Sequence, residues 1–113
     1  MSDVPVVGRV IDTLQKNLTT PVDLNTIAQE IGVNVYYLCH IFKKRTGLSV
    51  LEYRNVCRMA KAKQLLIQTE FSVSQICEQC GFSDASYFAS KFRENEGVSP
   101  SAYRNLHRAN IEE

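Results

Sequence analysis

Apolar residues in this chain recur at three- and four-residue spacing. Val7, Val10, Ile11, Leu14 and Leu18 form the first such stripe, the pattern of an amphipathic helix with one buried face. Thr20-Pro21 closes that region. Asp23 is placed to cap a second stripe of Leu24, Ile27, Ala28 and Ile31, and Gly32 to stop it. Asn34 caps a third, with Tyr37, Leu38, Ile41 and Phe42 as its core side, ending at Gly47. A long fourth stripe runs from Ser49 to about Thr69 and contains Val50, Leu51, Tyr53, Val56, Cys57, Ala60, Leu65 and Leu66. Ser72 with Gln75 has the form of a capping box and opens a fifth, carrying Val73, Ile76 and Cys80 up to Gly81. Ser83 or Asp84 caps a sixth, with Tyr87, Phe88 and Phe92, ending at Gly97. Ser99-Pro100, a cap followed by Pro at the first helical position, opens a seventh with Tyr103 and Leu106. No apolar–polar alternation runs over five or more positions. The expected fold is all-α, with about seven helices and no sheet.

The pattern repeats itself. GLSVLEYRN at 47–55 and GVSPSAYRN at 97–105 share Gly, Ser, Tyr, Arg and Asn at an offset of 50. Tyr37 pairs with Tyr87, Leu38 with Phe88, Phe42 with Phe92, and Lys43 with Arg93 at the same offset. Upstream the offset becomes 49: Ile27 pairs with Ile76, and Gly32 with Gly81. The second copy therefore carries one extra residue between Gly81 and Tyr87. Two copies of one supersecondary unit follow. The repeated string is the exit corner of that unit: Gly stops one helix, Ser caps the next, and Tyr sits one turn inside it.

Length and composition narrow the class. The 113 residues fit one domain or two very small units. No apolar run approaches the ~20 residues of a membrane span, and no signal peptide opens the chain. A soluble cytoplasmic protein is the expectation. Net charge is only +1, but the charge is uneven. Lys43, Lys44, Arg45, Arg54, Arg58, Lys61 and Lys63 crowd one stretch against Glu52. Lys91, Arg93, Arg104 and Arg108 follow later against Glu94 and Glu96. A basic face on a nearly neutral chain points to a polyanionic partner. The competing explanation is a merely solvated helix face.

Cys77 and Cys80 have the Cys-x-x-Cys spacing of a redox or zinc site. In the repeat they replace Ala28 and Ile31, which are interior helix positions. Free Cys at such positions behaves as a small hydrophobe, so a structural role is expected for both. A thiol- or metal-responsive sensor built on them is the alternative.

A short helix, a tight Gly turn and a second helix anchored by apolar residues make a helix-turn-helix. The outer face of its second helix is then free for a major groove. In the first unit that face offers Val35, Tyr36, Cys39, His40 and Lys43; in the second, Ala85, Ser86, Ala89 and Ser90.

Gly81-Phe82-Ser83-Asp84-x-Ser86-Tyr87-Phe88-x-x-x-Phe92-Arg93-x-x-x-Gly97-x-Ser99-Pro100-x-x-Tyr103-Arg104 resembles the signature of the DNA-binding domain of AraC/XylS bacterial transcription regulators. Arg58-Met59-x-x-Ala62-x-x-Leu65-Leu66 looks like the family's long linker helix, and Tyr37-Leu38-x-x-x-Phe42-Lys43-Lys44-x-x-Gly47 like its first recognition helix. The resemblance runs from Val7 to about Leu106. It implies a first helix-turn-helix subdomain over 1–48, a linker helix over 49–69 and a second subdomain over 70–113. The recognition helices, at about 34–46 and 84–96, would read adjacent major-groove segments.

The resemblance carries site roles onto particular residues. Tyr36, Cys39, His40, Ala85, Ser86 and Ser90 are the expected base contacts; Lys43, Lys44, Lys91 and Arg93 are the expected phosphate contacts. The family often has Arg near the middle of each recognition helix, suited to guanine. Here those positions hold His40 and Ser90, so the first unit is expected to dominate direct readout. Tyr53, Arg54, Tyr103 and Arg104 recur in both units and suit helix docking.

Double-stranded DNA is the expected partner, with RNA polymerase as a second candidate. No cofactor and no metal are expected. Two histidines and no acid–base cluster argue against an enzyme. A helical protein-interaction module that binds no DNA is a further rival. The chain fits either a stand-alone MarA/SoxS-like regulator, binding DNA as a monomer, or the C-terminal piece of a larger one, with dimerisation left to another domain.

Overall fold

The computed structural model describes residues 4–112, with the side chains of residues 5–108. Among these residues there are seven α-helices and no strands: α1 (Val4–Lys16), α2 (Leu24–Ile31), α3 (Val35–Thr46), α4 (Val50–Gln68), α5 (Val73–Gln79), α6 (Ala85–Glu96) and α7 (Pro100–Glu112). No helix among the described residues is long and apolar enough to cross a membrane.

Short polar side chains start these helices. The Asp23 carboxylate accepts from the Thr26 hydroxyl at 2.8 Å and the Thr26 N–H at 3.2 Å. These bonds favour the charged form, the hydroxyl most, and hold Asp23 below the ordinary carboxylate range. Asn34 accepts from the Tyr36 N–H at 2.8 Å. Ser72 and Gln75 form the expected capping box, and Ser49 with Glu52 forms a second, at 3.1 and 2.9 Å. Asp84, rather than Ser83, caps α6, accepting from the N–H groups of Ser86 and Tyr87.

The first helix is shorter than its apolar stripe suggested. It stops at Lys16, and Leu18 lies beyond it in a turn. The Asn17 side chain donates to the Thr13 carbonyl at 2.9 Å, and its N–H bonds Leu14 in the tighter three-residue register. Those local bonds close the helix before Leu18 can join it.

The chain divides into two compact units between Cys57 and Arg58, inside α4. In the first, α1, α2 and α3 pack against one another around Val10, Leu14, Ala28, Leu38, Ile41 and Phe42; Val50 and Tyr53 of α4 complete that core. In the second, α6 packs on α5 and α7 around Ile76, Cys80, Phe82, Phe88 and Phe92, with Met59, Ala62 and Leu66 from α4. The buried stripe of α4 in this unit is therefore Met59, Ala62 and Leu66. Ala60, counted with the stripe from sequence, is exposed, as are Leu51 and Val56 earlier in α4 and Leu106 in α7.

The repeat holds at the level of side-chain geometry. Phe42 meets Tyr53 edge-on at 5.5 Å, and Phe92 meets Tyr103 edge-on at 5.4 Å. Gly47 and Gly97 end α3 and α6 at φ 81° and 82°, where a side chain would be strained. The extra residue of the second copy can be placed. Val33 donates to Ala28 as Phe82 does to Cys77, still at an offset of 49, whereas the caps Asn34 and Asp84 differ by 50. The insertion is Ser83.

Candidate nucleic-acid interface

Each unit presents a helix whose inner face is committed to its core. On α3, Leu38 and Phe42 are fully buried and Ile41 nearly so; on α6, Phe88 and Phe92 are fully buried. Because side chains recur every 3.6 residues, the opposite faces must point outward.

On α3 that outward face carries Tyr36, 82% exposed, together with exposed His40, Lys43 and Lys44. Cys39, His40, Lys43 and Lys44 line one shallow concavity. Cys39 itself is half-buried and packs partly on the core, so less of it reaches outward than its place in the sequence suggested. Val35 also leans on that core. Lys43, Lys44 and Arg45 occupy the last turn of α3, where cations complement the carbonyl end of the helix.

On α6, Ala85, Ser86 and Ser90 are exposed and Ala89 is half-buried. Arg93 is exposed in the last turn. Lys91 is tied to neighbours on its own helix: its Nζ lies 3.5 Å from Glu94 and 6.0 Å from the centre of the Tyr87 ring. Its reach outward is reduced accordingly.

Two expectations from sequence change here. Tyr37 was placed in the core but is 42% exposed, as its repeat mate Tyr87 is at 46%. Both stand at the edge of the buried stripe, one position before a fully buried residue, and their recurrence in the two units was the signal available in the sequence. The basic face also contracts. Arg58 is only 6% exposed and lies over the Phe82 ring at 5.5 Å. Lys61 donates to the Gln79 carbonyl at 3.2 Å, and Lys63 pairs with Glu96 at 2.8 Å. That Glu96 contact raises the Lys63 pKa. Arg104 and Arg108 are turned onto the end of α4. Of the first basic stretch, the exposed cations are those of α3: Lys43, Lys44 and Arg45.

Cys77 and Cys80 are both core residues of the second unit. Burial pushes both thiols up, Cys80 to about 11. A reactive or metal-binding cysteine needs a stabilised thiolate, so their surroundings match the structural reading.

Comparison with known proteins fits this geometry. A family profile described as a helix-turn-helix domain matches residues 27–106. The transcriptional activator RhaR of Salmonella heidelberg is 31% identical over 101 residues, covering 89% of this chain and 36% of RhaR. The chain thus spans about a third of the length of the curated relatives it matches. A transcriptional regulator from Chromobacterium violaceum with an AraC-type DNA-binding domain superposes with a TM-score of 0.85 at 30% identity, covering 91% of this chain and 92% of that one. The DNA-binding domain of AdpA, solved in complex with a target DNA, superposes at 0.82 with 27% identity, covering 92% and 94%. Two helix-turn-helix units of one repeat, matched over nearly their whole length in sequence and in fold, make this chain a member of the AraC-type helix-turn-helix family.

Proposed function

We propose that this chain is the DNA-binding domain of a transcription regulator, acting on double-stranded DNA in the cytoplasm. The observation that carries this is the outward face of α3: an exposed aromatic and a histidine at the helix start and middle, followed by Lys43, Lys44 and Arg45 in the last turn. Side chains of that kind read base edges from the first turns of a recognition helix while cations hold the phosphates. The likeness to a domain solved on its target DNA supports the same use of the fold.

In this reading Tyr36 and His40 contact bases and Lys43, Lys44 and Arg93 contact phosphates. The α6 face has no side chain longer than serine at positions 85, 86, 89 and 90 and adds weaker direct readout. Two recognition helices in one chain let a monomer occupy one continuous, asymmetric site. RNA polymerase is the natural second partner of a regulator, and no catalytic role is proposed.

Selection of bound duplexes from a random library tests the proposal. The expected result is a single non-palindromic consensus bound by one chain per duplex, with more information in the segment read by α3. Equal affinity for every duplex, or binding only as a two-fold dimer on a palindrome, would refute it.

A further inference from the structure

We infer that α6 selects thymine through the C5 methyl group, by way of Ala85 and Ala89. The inference rests on the DNA-binding reading above and names what the second recognition helix recognises.

The outward face of α6 has Ala85, Ser86 and Ser90 exposed and Ala89 half-buried at its edge, at spacing that puts all four on one side of the helix. Its inward face is fixed by Phe88 and Phe92, both fully buried. The α6 backbone at the helix start is already occupied, because Asp84 takes the N–H groups of Ser86 and Tyr87. Of the nearest long side chains, Tyr87 leans on Phe82 at 6.4 Å and Lys91 lies between Tyr87 and Glu94. Arg93 is exposed on the same side in the last turn and is a phosphate contact in the reading above.

Residues 85, 86, 89 and 90 cannot form the paired hydrogen bonds that Arg makes to guanine or Asn and Gln make to adenine. The two serines offer a short hydroxyl that accepts or donates, and so discriminates little between bases. Alanine has neither donor nor acceptor. Among the groups that base pairs display in the major groove, one alone is apolar, the methyl of thymine. Short side chains also let the helix come close enough for methyl-to-methyl contact. On α3 the repeat positions of the two alanines hold Val35 and Cys39, both partly buried against the first core. The bulky Tyr36 and His40 replace Ser86 and Ser90, so the close approach that short side chains allow belongs to the second unit.

Thymine-to-uracil replacement removes that methyl and nothing else. On the selected duplex, replacing each thymine singly is expected to weaken binding about fourfold at one or more positions, the worth of one buried methyl-sized group. In Ala85→Gly, a mild change at the first helical residue, or in Ala89→Ser, which keeps the helix and adds a hydroxyl, the loss is expected to shrink below about twofold. Tyr36→Ala is expected to weaken binding overall but to leave the uracil loss at those same thymines, which lie in the segment read by α6, at its full size. Circular dichroism confirms that each variant is folded. Uracil tolerated at every position, or losses unchanged in both alanine variants, would overturn the inference while leaving DNA binding intact. A folded chain that binds no duplex would overturn the DNA-binding reading and this inference with it.

Discussion

Arg104 donates its Nε–H to the carbonyl of Leu66 at 2.9 Å, across 38 residues of chain. Its Nη2 donates to the carbonyls of Thr69 and Phe71, and Arg108 adds a bond to Thr69 and an ion pair with Glu70 at 2.8 Å. The last carbonyls of a helix have no partner within it, and cations favour that end. Two side chains of α7 thus close the C-terminus of α4. Arg54 is the repeat mate of Arg104, yet its Nε is buried without a hydrogen-bond partner.

The two arginines should therefore respond differently to Met. Arg104→Met is expected to destabilise by about 2–3 kcal/mol, since it leaves several carbonyls unanswered. Arg54→Met should stay within about 1 kcal/mol of the parent, because an unsatisfied group is replaced by an apolar one of similar length. Urea unfolding measures both, and equal losses would contradict the asymmetry.

Glycine has opposite meanings at two positions. Gly8 lies inside α1, and a Cβ there would meet nothing within 4 Å. Gly8→Ala should stabilise by about 0.5–1 kcal/mol through helix propensity. Gly97→Ala also has open space, but φ is 82°, and should cost about 1–2 kcal/mol. Thermal midpoints moving the same way in both variants would contradict this.

Base readout should be concentrated on α3. Tyr36→Ala or His40→Ala is expected to relax base preference in one segment by roughly 1–3 kcal/mol, and Ser86→Ala or Ser90→Ala by less. Competition with single-base variants of the selected site gives the comparison. A larger effect at Ser90 than at His40 would reverse the assignment.

Phosphate contacts should appear in the salt dependence. Lys43→Ala, Lys44→Ala and Arg93→Ala are each expected to weaken binding to all sequences alike and to lower the salt slope by roughly one unit. Lys91→Ala should change it less, because Lys91 already faces Glu94 and Tyr87. An unchanged slope in the first three would mark them as merely solvated.

The cysteines should register at alkaline pH. The Cys80 thiol is pushed from 9.0 to about 11 by burial, and Cys77 is raised too. Below about pH 8 these thiols are protonated in both folded and unfolded chains and contribute almost no pH dependence. Between pH 9 and 11 the unfolded chain loses their protons first, so stability falls, by an amount of order 2 kcal/mol. The Cys77→Ala/Cys80→Val variant should lose less over that window and keep its DNA affinity. Parallel stability curves for the two proteins would contradict the burial argument.

The sequence alone determined where most helices begin and end. Asp23, Asn34, Ser49, Ser72 and Asp84 cap through bonds to N–H groups two or three residues away, and such bonds depend only on near neighbours. The repeat, the all-α fold and the two outward helix faces follow from the same local spacing. Tertiary structure decided which residues those faces keep. Tyr37, Leu51, Val56 and Leu106 look apolar enough for a core but stay exposed, because burial depends on which side a neighbouring helix covers. Arg58, Lys61, Lys63, Arg104 and Arg108 read as one basic surface with Lys43 and Lys44. They turn instead onto a ring, carbonyls and carboxylates, several of them supplied from more than thirty residues away. A cation's role is set by the acceptor that folding brings to it, and residue spacing does not encode that acceptor.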